Sequence, residues 1–204
     1  MQLELYGNRE SGHSYKVRLF LALADLPHRY HRVDLRLPRA ERPADFRAVS
    51  PFGEVPVLIH DGRPLAQSNA ILLHLARETG RFGPPSPATW DELTMWLFWE
   101  ANRIGLSLPN LRLHTRFVPA PPDVLAMFAA RVQADLATLD ERLRARPYLV
   151  GDAASVADLS CCGYLGLADQ AGLDLASWPR VRAWLDRLAQ LPGYAPNYAL
   201  MDRA

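Results

Sequence analysis

Two short stretches of this chain hold polar groups at spacings that could do chemistry. Gln67-Ser68 stand where an apolar stripe of helical period begins, with Ile71, Leu72 and Leu75 as its inward face. The free N–H groups and dipole of a helix start form a ready anion site. Ser68 adds a hydroxyl there and Gln67 an amide that both donates and accepts. Ser68 could equally be a plain helix cap, worth about 1 kcal/mol. Just upstream lies the β-branched run Glu54-Val55-Pro56-Val57-Leu58-Ile59. A proline there belongs at the first residue of a strand or on an edge, because it cannot donate to a sheet ladder. Following Pro51-Phe52-Gly53, the Val55–Pro56 bond is a candidate for the cis form, which concentrates at tight X-Pro turns. A cis bond would turn the Val55 N–H and C=O outward, where an extended peptide could pair with them as an added strand does. The alternative is a trans proline that merely opens a strand.

A third polar set lies near the start of the chain. Gly7-Asn8-Arg9-Glu10-Ser11-Gly12-His13 reads as a loop, with Ser14 and Tyr15 behind it and Tyr6 ahead. From the residues alone, Ser11 is a loop hydroxyl that satisfies nearby backbone. Ser14 is placed to cap the helix whose apolar face is Val17, Phe20, Leu21 and Ala24. Lys16 and Arg18 are expected on that helix's solvated side.

The elements that must position these groups follow from periodicity and turn chemistry. Leu3-Glu4-Leu5-Tyr6 alternates as a strand, and Leu26-Pro27 ends the first helix. Tyr30 to Val33 is a plausible second strand, and a short helix is expected from about Pro43 to Val49. Asp61-Gly62 supplies the positive φ of a hairpin turn between the Val57 and Leu65 strands. The order β-α-β-α-β-β-α is that of an α/β thioredoxin-like fold, expected over residues 1–79. Residues 80–87 carry two glycines and three prolines and read as a linker. Residues 88–204 read as an all-α domain. One helix is expected from Trp90 to about Leu108, and a long one puts Leu125, Phe128, Val132, Leu136, Leu139 and Leu143 on one face. Ser155-Val156-Ala157-Asp158 is a capping box, and Trp178-Pro179 opens a further helix.

With 204 residues and a net charge of +1, the chain carries no field that points to nucleic acid or an anionic membrane. No signal-peptide pattern follows Met1, and no apolar run is long enough to span a bilayer. The adjacent Cys161 and Cys162 cannot build a disulfide framework, so the cytoplasm is the natural compartment. His28 and His31 flank no metal pattern, and no metal is expected.

Val55-Pro56-Val57-Leu58, a turn, then Gln67-Ser68-Asn69-Ala70-Ile71-Leu72 resembles the glutathione-binding half of the cytosolic glutathione transferases. The helical half and its Ser155–Asp158 cap resemble the same superfamily, so the likeness runs over roughly residues 3 to 192. Ser11-Gly12-His13-Ser14-Tyr15-Lys16-Val17-Arg18 resembles the serine-using members, the zeta class and its bacterial relatives, with theta-like kinship. The resemblance implies that Val55, before a cis Pro56, pairs with the cysteinyl backbone of glutathione, and that Gln67 and Ser68 hold its γ-glutamyl end. It implies Ser11 at the thiol, with Ser14 as second choice and His13 beside the sulfur or lining the pocket. Arg39 and Arg42 are candidates for the glycyl carboxylate. Trp96, Trp99 and Arg103 are candidates for a second-substrate pocket between the halves, though aromatics at helical spacing are more often core. Asp158 is structural in this family, and the absence of Cys from the 7–15 loop disfavours a protein-thiol mechanism.

The implied activity is attack by glutathione thiolate on a small electrophile, in a homodimer with a role in detoxification. The same thiolate could serve a disulfide-bond reductase or a zeta-like isomerase, and a transferase-like binding module without turnover is the rival of another class. The energetics are within reach of one hydroxyl. Lowering a thiol pKa by two units needs about 2.7 kcal/mol, and a hydrogen bond to a charged group contributes about 1.5–3 kcal/mol.

Overall fold

The computed structural model describes residues 1–203. These divide into two compact units, one formed by Met1–Arg81 together with the segment from Pro192 onward, the other by Phe82–Leu191. The expected all-helical domain of residues 88–204 therefore differs at its end, because the last segment packs with the first unit.

The first unit is built on strands β1 (Leu3–Gly7), β2 (Arg29–Arg32), β3 (Val57–His60) and β4 (Arg63–Ala66), in the order β2-β1-β3-β4. β2 runs parallel to β1, β3 antiparallel to β1, and β4 antiparallel to β3. Between β1 and β2 stands helix α1 (Gly12–Leu23); α2 (Ala44–Val49) precedes β3, and α3 (Ser68–Thr79) follows β4. Leu5 and Leu58 of the sheet, Val17, Phe20 and Leu21 of α1, and Ile71, Leu72 and Leu75 of α3 are all fully buried. This apolar interior is what holds the strand ends in register.

α1 departs from expectation. Lys16 and Arg18 are buried, not solvated. On the face that periodicity alone assigns to water, Arg18 meets the carboxy-terminal segment and Lys16 meets Asn69 of α3. Arg18 Nη1 donates to the Met201 carbonyl at 3.0 Å, and Tyr15 Oη donates to the Ala195 carbonyl at 2.9 Å. That segment contains a short helix not anticipated from the sequence, called α9 below (Asn197–Met201).

The second unit is helical: α4 (Trp90–Asn102), α5 (Ile104–Arg116), α6 (Pro122–Arg142), α7 (Val156–Cys162) and α8 (Pro179–Ala189), with short 3-10 turns between. The single helix expected from Trp90 to Leu108 is in fact broken at Arg103, whose φ/ψ of −123°/−107° is not helical. Just past the break Glu100 packs against Gly105, where a Cβ would lie 2.2 Å from Glu100 Oε1, so this approach requires glycine.

The Ser155 capping box forms as expected, and Asp158 is its centre. Its Oδ1 accepts from Leu149 N–H at 2.8 Å and Trp184 Nε1–H at 2.9 Å; its Oδ2 accepts from Ser155 N–H at 2.9 Å and Ser155 Oγ–H at 2.9 Å. Full burial pushes the Asp158 carboxyl up, while these donors pull it down. Asp140 of α6 plays a similar part across the unit, accepting from Arg180 N–H at 2.9 Å at the start of α8. Cys161 and Cys162 are buried thiols. Among the described residues no helix is long and apolar enough to cross a membrane.

Candidate functional site

Strand register brings the three polar stretches to one end of the sheet. Tyr6, last but one in β1, pairs with Val57, the first residue of β3. Val57 in turn pairs with Ala66, the last residue of β4. The Gly7–Ser11 loop, the Val55–Pro56 bond and the Gln67–Ser68 pair therefore all lie just beyond the same sheet edge. Lys16 ties two of them together, since its Nζ donates to Asn69 Oδ1 at 2.8 Å and so links α1 to the first turn of α3.

The loop is organised by Asn8. Its Nδ2 donates to the Val33 carbonyl at 2.7 Å, its Oδ1 accepts from Glu10 N–H at 2.8 Å, and its carbonyl accepts from Ser11 N–H at 3.1 Å. Asn8 was not singled out in the sequence. The available signal was an Asn directly after a strand-ending glycine, the residue type that folds back onto backbone two positions on.

Ser11, not Ser14, caps α1. With extended φ/ψ of −94°/108°, it accepts from Ser14 N–H at 3.1 Å through its Oγ. The helix begins at Gly12, one turn earlier than a Ser14 cap requires. Ser14 is fully buried, and its Oγ accepts from Asn8 N–H at 3.3 Å. Among the described residues the Ser11 hydroxyl proton has no acceptor. His13 stands half-buried on the first turn. Tyr6 is otherwise engaged: its hydroxyl donates to Asp45 Oδ2 at 3.2 Å and its ring stacks on His31. Burial, then the Asp45 carboxylate, pushes the Tyr6 phenol up.

The Val55–Pro56 peptide is cis. The Val55 side chain packs against the cluster of Tyr6, Val33, Phe46 and Val57. The β3 ladder starts only at Val57, and among the described residues the Val55 N–H and C=O have no partner.

The start of α3 is open. Gln67 precedes it with a φ of +69°, a conformation costly for a residue with a side chain and one that clusters at functional sites. Its side chain is exposed and, like the Ser68 hydroxyl, has no partner among the described residues. No side chain caps this helix, so its first N–H groups face outward beside the two free polar groups. Ser68 is the first helical residue and not the cap.

The model of the "Glutathione S-transferase, N-terminal domain" matches residues 10–78, and that of the "Glutathione S-transferase, C-terminal domain" matches residues 122–187. The chain belongs to the cytosolic glutathione transferase superfamily. It is 31% identical over 189 residues to a disulfide-bond oxidoreductase, YfcG, of Escherichia coli, covering 87% of this chain and 86% of that one. It is 28% identical to mouse glutathione S-transferase theta-1 over 95% of this chain and 85% of that one. A possible glutathione S-transferase from Rhodopseudomonas palustris superposes with a TM-score of 0.87 at 35% identity, over 97% of this chain and 98% of that one. The serine-type, zeta/theta-like character of the loop is compatible with these matches.

The remaining candidates sort by surroundings. Arg42 is engaged within its own loop. Its Nε donates to the Leu37 carbonyl at 3.2 Å, its Nη1 to the Gly53 carbonyl at 2.5 Å and its Nη2 to the Leu35 carbonyl at 3.4 Å. Arg39 is the more open cation. It sits in a 3-10 turn with its stem against Gly53 and its guanidinium 3.5 Å from Glu54. In the second unit, Trp96 is core, edge-on to the half-buried Trp99 at 5.2 Å between ring centroids, with the Arg142 guanidinium over its ring. Arg103 is exposed at the α4–α5 break. Among the described residues no three His, Cys, Asp or Glu side chains gather where they could hold a metal ion. His28 turns to the Leu26 carbonyl and His31 to Glu4.

Proposed function

We propose that the chain binds glutathione and uses its thiolate, set up by Ser11, against a small electrophile. One observation carries this reading: Ser11 Oγ takes its cap bond from Ser14 N–H and keeps its own proton uncommitted, at the sheet end it shares with Val55 and Gln67–Ser68. A hydroxyl in that state donates to a thiolate without giving up its structural bond. A free thiol has a pKa of about 8.5, and one such charge-assisted bond, about 1.5–3 kcal/mol, lowers it by about one to two units. The Val55 N–H and C=O would pair with the cysteinyl residue as a strand does. The γ-glutamyl carboxylate would sit on the uncapped N–H groups of α3, with the Ser68 hydroxyl and the Gln67 amide beside it. Arg39 is the better candidate for the glycyl carboxylate, since Arg42 already serves three carbonyls. Ser14 is too buried to reach a ligand, and His13 is left to line the pocket.

A second reading shares the site. The relative named a disulfide-bond oxidoreductase supports attack of the same thiolate on a disulfide sulfur. The S–S bond breaks, a mixed disulfide with glutathione forms, and the leaving thiolate takes up a proton. Glutathione is the reductant. A zeta-like isomerisation would use the thiolate as a transient nucleophile. Assembly as a homodimer is supported by Met95 and Phe98, 56% and 73% exposed and three residues apart on α4. We assign the protein to the cytoplasm on the same family reading.

Calorimetric titration of glutathione in two buffers of different ionisation enthalpy, on wild type and Ser11→Ala, tests the proposal. Proton release on binding that Ser11→Ala abolishes is the expected result. Binding without proton release in the wild type would make the site a binding module, and absence of binding would end the glutathione reading.

A further inference from the structure

The loop that carries Ser11 is held from two directions. Asn8 fastens its inner side to the sheet. Its outer side is fastened by residues almost the whole chain away. Tyr198 of α9 donates its hydroxyl to Glu10 Oε2 at 2.7 Å. The Arg9 guanidinium lies over the Tyr198 ring, 4.6 Å from its centroid, and reaches Asp202 at 3.2 Å. Tyr15, four residues after Ser11, donates to the Ala195 carbonyl at 2.9 Å. The segment from Ala195 to Asp202 thus forms a strap that grips the chain on both sides of Ser11.

Glu10 makes this grip chemically consequential. Its carboxylate is adjacent in sequence to the hydroxyl that receives the thiolate, and a like charge brought near a thiolate opposes its formation. Other charged and titratable groups around the loop include Arg9, 3.8 Å from Glu10 Oε1, Asp202 behind Arg9, His13 on the first turn, Lys16 turned toward Asn69, and the Tyr30 phenol against Gly7. Of these, Arg9 acts together with Tyr198 on the strap side. We propose that Tyr198 is a positioning residue, whose hydroxyl pins the Glu10 carboxylate to the carboxy-terminal strap and so directs that charge away from the thiolate held by Ser11. The inference rests on the Ser11 reading above.

The test is the ultraviolet absorbance of thiolate in glutathione bound to the full-length protein, followed against pH. Tyr198→Phe keeps the ring under Arg9 and removes only the hydroxyl. It should raise the bound thiol pKa by about half a unit, about threefold less thiolate below the midpoint. Adding Glu10→Gln to Tyr198→Phe should return the pKa to within about 0.2 unit of wild type, because the released charge is gone. Glu10→Gln alone, with the tether intact, should move it by less than about 0.2 unit. A shift in Tyr198→Phe that Glu10→Gln fails to reverse would reduce Tyr198 to a structural contact and overturn the inference. So would a half-unit fall in Glu10→Gln alone, a measurement that stands even if Tyr198→Phe folds poorly. An unshifted Tyr198→Phe beside a shifted Ser11→Ala overturns the role of Tyr198 and leaves the Ser11 reading intact. An unshifted Ser11→Ala overturns both.

Discussion

Ser11 and Ser155 open helices in closely similar ways. Each has extended backbone, and each accepts a backbone N–H from the first turn, Ser14 N–H at 3.1 Å in one case and Ala157 N–H at 3.3 Å in the other. They differ three residues on. After Ser155 comes Asp158, whose carboxylate takes the serine hydroxyl proton and closes the network. After Ser11 comes Ser14, which takes nothing from it. The same local device is therefore finished in the helical unit and left with one free donor in the α/β unit. A cap with a carboxylate at its third position is a lock, whereas one without it keeps a proton available to a ligand.

Three experiments would break or sharpen that contrast. The largest effect is expected from Asp158→Ala, which leaves the Leu149 and Ser155 N–H groups and the Trp184 indole N–H buried without an acceptor. Stability should fall by about 3–5 kcal/mol in urea unfolding. A loss under about 1 kcal/mol would mean that this network is not what closes the helical unit. Next comes Ser155→Ala, which should cost about 1–2 kcal/mol of stability yet leave the pKa of bound glutathione where it was. Ser11→Ala should do the reverse, with a stability loss near 1 kcal/mol and a thiol pKa raised by about one to two units. Equal behaviour of the two variants would erase the distinction.

The smallest effect concerns a hydroxyl that is open but unreachable. Among the described residues Tyr30 Oη is buried without a hydrogen-bond partner, close to Gly7. Burial pushes its phenol up to about 12, against an Arg18 guanidinium 3.8 Å from its ring centroid that pulls it down. A folded pKa raised above the unfolded value of 10.0 gives stability that is complete below pH 10 and lost as pH climbs toward 12. Tyr30→Phe should remove that alkaline decline and change neutral-pH stability by less than about 1 kcal/mol, since no hydrogen bond is lost. Equilibrium unfolding at pH 7, 10 and 11.5 would show it, and a neutral-pH loss well above that size would reveal a partner for the hydroxyl.

Much of this was legible in the sequence because it rests on local rules. The Asp61-Gly62 turn, the Pro56 strand start and the Ser155–Asp158 box each declare themselves within a few residues, and the apolar stripe of α3 declares its face. The missed features depend on partners far along the chain. Lys16 and Arg18 look solvated by helical period, and distant partners such as Asn69 and the Met201 carbonyl make them interior residues. Arg42 reads as a free cation until the Leu35, Leu37 and Gly53 carbonyls surround it. The misplaced cap has a subtler cause. Gly7 to His13 reads as a polar, glycine-bearing loop, which puts the cap at Ser14, while the Asn8 turn delivers the backbone in position to start at Gly12. At the site, residue types were readable, but which hydroxyl kept its proton was not, since that depends on who else is near.

The strap also sets an order of events in synthesis. The α/β unit is written in two instalments separated by the entire helical unit, from Phe82 to Leu191. Until Met201 has left the ribosome, the Arg18 guanidinium has no carbonyl at that end to accept from it, and α1 must keep one face wet. The nascent α/β unit therefore waits, incomplete, while the helical unit has all of its own sequence and can fold ahead of it. The loop that carries Ser11 would therefore become rigid only after the helical unit has been made.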